Sequence, residues 1–365
     1  MIKVKQFACI PPPYGGISVY VKRLYLYLNK LGFDTSAFYT KKLSNHSDNQ
    51  FLRCHKFPLH TRSIWGILAL PRLLYILSSH DLLHTHLSLN TSLLTYLLHK
   101  LLNIPVVYTI HNQMIDRECQ LMNGIDRYFF NLLKNDKDVQ FITVNTMASD
   151  MLNREFGQFR NPIIVQPAFL PPIEVGIVED YISSDLHAFI TSDSPVILFY
   201  AESFAKYLTE EIYGSNTAIN VFVSLKEFIP NLKLVFCMPQ PDISIIESYK
   251  NYLDDLGYSS DVFWQIQPLQ EMWPLLKLCT LLFRPTCTDG DSIMIREALS
   301  YGLPVVTSDV VERPNGCIIY PYGNIDIAIS EMKRILLNPI KRNHNQTSHI
   351  DNVINVYKKI LRIIS

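Results

Sequence analysis

Residues 288–306 read TDGDSIMIREALSYGLPVV, and this stretch decides both the fold class and the place to look for a site. It follows TLLFRPT and runs into LPVVTSD, two short β-rich apolar strands. Between them Ser292 or Asp291 is a natural helix N-cap, while Gly302 and then Pro304 end the helix. A helix that starts at the C-terminal edge of a parallel strand offers backbone N–H groups and a partial positive charge to an anion, and ligands of open α/β sheets sit at that edge. Phosphate is the first anion to consider. Asp289, Asp291 and Glu297 are ill suited to phosphate but well suited to accept hydrogen bonds from hydroxyls. Together these features point to a nucleotide sugar. Asp289 and Asp291 also fit plain capping of the helix, but Glu297 lies beyond the turn where the dipole acts and requires another reason.

Moving outward, the second half of the chain repeats one alternation. SPVILFYA, NLKLVFCM, DVFWQIQ, TLLFRPT and LPVVTSD read as strands, separated by the helical stretches NTAINVFVSLKEFI, SIIESYKNYLDDLG and EMWPLLKLC and by the opening stretch itself. The first half follows the same plan. KVKQFACI is a strand and PPPYGG a turn, after which Ile17, Val21, Leu24, Leu28 and Leu31 recur at helical spacing until Gly32; DTSAFYT is the next strand. DLLHTHL, IPVVYTIH and VQFITVN are buried-strand candidates, with TSLLTYLLHKLL a helix among them. The proline-rich NPIIVQPAFLPPIEV and the acidic segment after it mark a boundary. The expected organisation is an N-terminal domain over 1–172, a linker over 173–193, a C-terminal domain over 194–345, and a helix over 346–365 that packs back across the domains. Its apolar stripe is expected to be Ile350, Val353, Ile354, Tyr357, Ile360 and Leu361.

A chain of 365 residues, 48% apolar and 18% charged, is long enough for two cores at about 150 residues each. The seven cysteines are scattered without a CxxC pair, which fits reduced core residues rather than disulfides or zinc. No apolar run reaches the roughly 18 uninterrupted residues of a spanning helix, because Pro71 and Arg72 break the longest one. The N-terminus lacks the apolar core of an export signal, so a cytoplasmic location is expected. Zero net charge hides an asymmetry: residues 1–172 hold 18 Lys and Arg against 10 Asp and Glu, and residues 173–365 hold 15 against 23. A basic half either meets an anionic membrane or phosphate-bearing ligand, or reflects a drift of surface charge.

Asp289 and Glu297 stand eight apart, and DGDSIMIREALSYGLPVVTSD resembles the E-G-F-G-x-x-x-x-E signature of the retaining glycosyltransferases of family 4. PPPYGGISVYVKRLYLYLNKLGF, HDLLHTH and VVYTIHN resemble that family's N-terminal glycine loop and histidine-bearing strand ends. The resemblance implies the GT-B fold, α/β throughout, with two Rossmann-like doubly wound parallel-sheet domains facing a central cleft. It implies that Glu297 binds the ribose hydroxyls, that Asp289 acts near the donor sugar, that the Ser292, Ile293 and Met294 amides and Gly290 face the diphosphate, and that His111 closes a strand beside the sugar. Gly15 and Gly16 would line the cleft or simply form the turn into the first helix. His84 and His86 point to one face of their strand, one of them as a satisfied core histidine. Arg284 and Arg313 either bind phosphate or pair with nearby aspartates.

Departures accompany the resemblance. Asp289 is shorter than the usual Glu, and Tyr213-Gly214 stands where Lys-Gly is expected to neutralise the diphosphate. Lys206 is the one cation in AESFAKYLTEEIYGSN, so Lys206 and Arg284 are the candidates to take over that charge. The activity implied is metal-independent sugar transfer with retention, from a nucleotide diphosphate sugar as co-substrate and without a cofactor. Its acceptor would be a saccharide, lipid-linked in surface polysaccharide synthesis, which implies peripheral contact with the inner face of the cytoplasmic membrane and no nucleic-acid partner. The alternatives are a GT-B epimerase or hydrolase and a non-catalytic sugar-nucleotide-binding partner subunit.

Overall fold

The computed structural model describes residues 1–8, 16–39, 54–56, 75, 79–111, 115–191, 193–338 and 349–363. The chain forms two compact units, Met1–Leu170 with Ser348–Ser365, and Pro171–Thr347. Counted over these units the charge asymmetry sharpens: 21 Lys and Arg against 11 Asp and Glu in the first, hence +10, and 12 against 22 in the second, hence −10.

The first unit is built on a seven-stranded sheet of β1 (Lys3–Phe7), β2 (Asp34–Tyr39), β3 (Cys54–Lys56), β4 (Leu82–Thr85), β5 (Val106–Ile110), β6 (Val139–Thr143) and β7 (Ile164–Val165). The order across the sheet is β3-β2-β1-β4-β5-β6-β7, and every pairing is parallel. The order reverses between β1 and β4, so their C-terminal ends form the switch point of a doubly wound sheet. Every residue of β4, β5 and β6 is buried, as strands covered on both faces must be. Helices α1 (Gly16–Lys30), α2 (Ser92–Leu102), α3 (Ile115–Leu121), α4 (Gly124–Lys134) and α5 (Thr146–Phe156) flank it. In α1, Val21, Leu24 and Leu28 are fully buried, whereas Ile17 and Leu31, the ends of the expected stripe, are exposed. The stripe leaves the sheet at both ends because Ile17 sits in the first turn and Leu31 lies past the last, where Gly32 at φ 83° turns the chain toward β2. Asn123 and Asn145 cap α4 and α5, accepting from the N–H of Asp126 at 2.9 Å and Ala148 at 2.8 Å.

The second unit adds α6 (Ser184–Ile190), β8 (Val196–Tyr200), the small antiparallel hairpin β9 (Lys206–Tyr207) and β10 (Glu210–Glu211), α7 (Ser215–Lys226), β11 (Lys233–Cys237), α8 (Ile243–Asp255), β12 (Val262–Gln265), α9 (Trp273–Leu278), β13 (Leu281–Arg284), α10 (Ile293–Ser300), β14 (Val305–Ser308), β15 (Ile318–Tyr320) and α11 (Ile325–Leu337). Its six-stranded sheet is again parallel, in the order β12-β11-β8-β13-β14-β15. Alternate residues of β8 serve opposite cores: Ile197 and Phe199 join Phe222 and Phe236 on one face, Val196 and Leu198 join Trp273 and Leu282 on the other.

Two boundaries differ from the sequence expectation. Residues 173–193 do not form a linker, because Ile182, Leu186 and Ile190 recur every four residues and bury themselves in the second unit's core. Ser183 caps the helix that presents two of them. The terminal helix α12 (Ile350–Ile360) belongs wholly to the first unit rather than spanning the domains. It buries Ile350, Val353, Val356 and Tyr357, while Ile354, Ile360 and Leu361 are half-exposed, so the seam lies nearer Val356 than the spacing implied. Of the cysteines, Cys119, Cys237 and Cys279 are buried as expected, but Cys287 and Cys317 are only half-buried; all five are free thiols. Cys9 and the side chain of Cys54 lie outside what is described. Among the described residues no helix is long and apolar enough to cross a membrane.

Candidate functional site

Strand β13 delivers the chain to residues 285–292 at the C-terminal edge of the second sheet, and α10 starts there. Ser292 is the N-cap: its backbone is extended, its Oγ accepts from Ile295 N–H, and its carbonyl accepts from Arg296 N–H. Asp291 is therefore not the cap; its carboxylate pairs with Arg296 of the first helical turns. The earlier amides, Ile293 and Met294, have no intrahelical acceptor by helix geometry. Glu297 is buried within α10, and Gly302 at φ 65° turns the chain toward β14.

Asp289 is withdrawn into a charged cluster. Its carboxylate accepts from Arg284 Nε at 3.2 Å and Nη2 at 3.3 Å, from Arg313 Nη1 at 2.9 Å, and from Gly290 N–H at 3.1 Å. Burial alone would raise its pKa, but the two guanidiniums outweigh burial and hold the carboxyl below its ordinary range. Arg313 also donates to Ser308 O at 2.9 Å and Thr286 Oγ1 at 3.0 Å, and Arg284 donates to Tyr200 O at 3.1 Å. The residue expected near the donor sugar is thus held by two arginines that use its carboxylate lone pairs. Of the two readings of Arg284 and Arg313, the ion pair with aspartate is the one this geometry contains.

The same cluster answers what stands at Tyr213. The Arg284 guanidinium carbon lies 5.0 Å from the Tyr213 ring centroid, so the tyrosine faces a cation supplied from β13. Gly214 follows at φ 71°, and a Cβ there would meet Pro285 O at 2.3 Å, so only glycine lets this loop approach the end of β13. Lys206 lies exposed on the β9–β10 hairpin. A group the sequence reading missed is Glu211, whose carboxylate accepts from Ser215 N–H at 2.8 Å and Ser215 Oγ at 2.6 Å at the start of α7. Burial raises its pKa. The signal was available in the four-residue spacing from Glu211 to the first helical serine.

In the first unit three histidines meet at the ends of β4 and β5. His84 is the satisfied core histidine: its Nδ1 contacts the Tyr357 hydroxyl at 2.6 Å and its Nε2 contacts Thr109 Oγ1 at 2.8 Å. His86 Nδ1 lies 2.9 Å from His111 Nε2, and the His84 and His86 ring centroids are 4.0 Å apart. Tyr20 of α1 packs edge-on against both His86 and His111. Burial lowers all three pKa values, helped by His111 at His84 and by His84 and His111 at His86: to about 3 for His84, well below the ordinary range for His86, and to about 4 for His111. All three rings are neutral at pH 7. Tyr357, which no strand pattern would link to His84, was missed as a member of this cluster. Gly16 opens α1, and Gly15 lies outside the described residues. Among the described residues no group of three or more His, Cys, Asp or Glu is placed to hold a metal ion.

Residues 14–170 match the family described as Glycosyltransferase Family 4. Over 114 residues, 28% of this chain and 32% of the relative's length, the sequence is 28% identical to a lipopolysaccharide 1,6-galactosyltransferase of Salmonella typhimurium. The structure is similar to a glycosyltransferase of Rickettsia africae, with a TM-score of 0.70 at 13% identity over 100% of this chain and 99% of that one. It is also similar to HepE of Anabaena, solved with UDP and glucose, with a TM-score of 0.65 at 12% identity over 99% and 96% of the two chains. Residues 14–170 thus carry the match to Glycosyltransferase Family 4, and the two parallel α/β units have the GT-B fold of these glycosyltransferase structures.

Proposed function

We propose that the protein transfers a sugar, with retention at the anomeric carbon, from a nucleotide diphosphate sugar to a hydroxyl acceptor, in the synthesis of a bacterial surface polysaccharide. One observation carries the donor half of this reading: Glu297 is buried in a helix that begins at the C-terminal edge of β13, with the first amides of that helix left to an anion. Glu297 accepts hydrogen bonds from the ribose hydroxyls, and the Ser292, Ile293 and Met294 amides with Gly290 hold the diphosphate. Three charges, Arg284, Arg313 and Asp289, sum to one positive charge behind that edge, which stabilises the departing diphosphate in place of the lysine absent at Tyr213. Lys206 adds an exposed cation from the hairpin. Asp289 serves by holding the two arginines, and His111, with Gly15 and Gly16, is assigned to the sugar-transfer step.

The reading takes a UDP-sugar as the first donor to test, because the similar HepE structure holds UDP and glucose. It takes a lipid-linked saccharide as the acceptor, because the sequence relative is a lipopolysaccharide galactosyltransferase. The basic charge of the first unit fits peripheral contact with an anionic cytoplasmic membrane surface. The reaction needs no metal or other cofactor in this scheme.

The test is binding of UDP, GDP and their sugars to the purified chain by calorimetry, followed by Glu297→Gln. Loss of charge-assisted hydrogen bonds to two hydroxyls should weaken the preferred nucleotide sugar by roughly 10- to 100-fold, with the unfolding temperature nearly unchanged. Equal affinity of the variant would refute the assignment of Glu297. Donor consumed at the same rate without any acceptor would point to hydrolysis instead of transfer.

A further inference from the structure

The contacts around the strand-end histidines determine where their protons sit. A neutral imidazole has one N–H and one lone pair, so each hydrogen bond limits the tautomer. Tyr357 is buried, its hydroxyl hydrogen has His84 Nδ1 as its contact, and burial keeps the phenol protonated. His84 therefore accepts at Nδ1 and carries its own proton on Nε2, where it donates to Thr109 Oγ1.

The contact between His86 Nδ1 and His111 Nε2 is 2.9 Å and by itself admits either ring as donor. The other nitrogen of His86 separates the two cases. His86 Nε2 is buried and has no hydrogen-bond partner among the described residues. With the proton on Nε2, a buried N–H would have no acceptor. With the proton on Nδ1, only a lone pair is left unmet. Orphaned buried N–H groups are the rarer defect in folded proteins, whereas acceptors with an unmet lone pair are better tolerated. The proton of His86 therefore belongs on Nδ1, pointing at His111.

We propose that His86 is a positioning residue that fixes His111 in the tautomer protonated on Nδ1, so that His111 presents a hydrogen-bond donor, and not an acceptor, beyond the end of β5. Its role is that of the group that orients a catalytic imidazole in a triad, performed here by a second neutral histidine. A ring held this way stabilises an oxygen that gains negative charge and does not serve as a base at Nδ1. The inference rests on the reading that His111 faces the substrate, but the tautomer itself is measured without substrate.

The protein, with ring-labelled ¹⁵N-histidine, is examined at pH 7 by long-range ¹H–¹⁵N correlation, and the His111 signals are assigned by their loss in His111→Gln. The wild-type protein should show His111 protonated on Nδ1. In His86→Asn, an amide nitrogen near the former Nδ1 can still donate, so the tautomer should persist. In His86→Ala it should move toward Nε2, and kcat should fall on the order of tenfold with KM nearly unchanged. Protonation of His111 on Nε2 in the wild-type spectrum overturns the proposal, and this arm needs no variant of His86 to fold. An unchanged tautomer in a folded His86→Ala overturns it as well. A spectrum as expected from a protein that binds no nucleotide sugar would leave the positioning role standing and sink the transferase reading alone.

Discussion

The two units place opposite kinds of polar cluster at equivalent edges of their parallel sheets. The first gathers three neutral histidines at the ends of β4 and β5, where burial suppresses charge. The second gathers Arg284, Arg313 and Asp289 around the end of β13, where pairing sustains charge in spite of burial. Desolvation acts on both, and the difference lies in whether a counter-charge is within reach. A histidine with only other histidines nearby gives up its proton, whereas an aspartate between two guanidiniums keeps its negative charge. The contrast teaches that one fold can prepare a donor-type, uncharged edge in one unit and a cationic edge in the other.

The largest expected effect breaks the charged side of this comparison. Asp289→Ala removes the shared counter-ion of two buried guanidiniums, and breaking a buried ion pair from one side costs about 3–5 kcal/mol. Urea denaturation should show that loss. The conservative Asp289→Glu should recover part of it, since only a methylene is added to a packed site. If Asp289→Ala leaves stability within about 0.5 kcal/mol, the cluster is hydrated rather than buried, and the geometric argument for a withdrawn Asp289 fails.

How much of this was legible beforehand differs between the two edges. The strands on both sides of each site, the helix after β13 and its terminating glycine follow from local periodicity and turn chemistry, which short segments carry in full. The ring pair of His84 and His86 on one face follows from the two-residue period of a strand. What the sequence concealed was a partner distant along the chain, Tyr357 on His84, whereas Arg313 with Asp289 and Arg284 at Tyr213 were each one of two open readings. The choice of cap stayed open for a related reason, because Asp291 and Ser292 are equally good caps by residue type and only the reach of Arg296 to Asp291 decides between them. The supposed linker shows the converse failure. Ile182, Leu186 and Ile190 carried a usable four-residue period that the surrounding acidic residues masked.

The neutral side is probed by acid, with a smaller effect. Each of these histidines has a pKa depressed in the folded state, so both states are neutral above about pH 6.5, and below that value only the unfolded chain gains the proton. Stability is therefore fully present above pH 6.5 and is lost as pH falls toward 4, by at most about 1.4 kcal/mol per pH unit for each histidine. Glu202, Glu211 and Asp291, whose carboxyls burial raises, act in the opposite direction. The clean measurement is thus the slope of unfolding free energy between pH 6.5 and 5 in His84→Gln against wild type. The variant should be less steep by about one histidine's share. Parallel slopes would mean that His84 is charged in the folded protein and that the first edge is not neutral.

The smallest expected effect tests whether Arg284 belongs to the loop it faces. Its guanidinium stands 5.0 Å from the Tyr213 ring, a contact worth about 0.5–1 kcal/mol where solvent is near and up to about 2 kcal/mol when desolvated. Tyr213→Phe keeps the ring and should change stability little, while Tyr213→Leu should lose about 1 kcal/mol by removing the aromatic face. Both variants leave the Asp289 pairing in place, so the difference between them isolates the contact from the ion pair. Combining Tyr213→Leu with Arg284→Met then closes a double-mutant cycle, whose coupling should match that difference. A coupling near zero would mean that the ring only fills space above β13. The cation would then be tied to Asp289 alone, and the charge expected at this loop would have to come from the exposed Lys206.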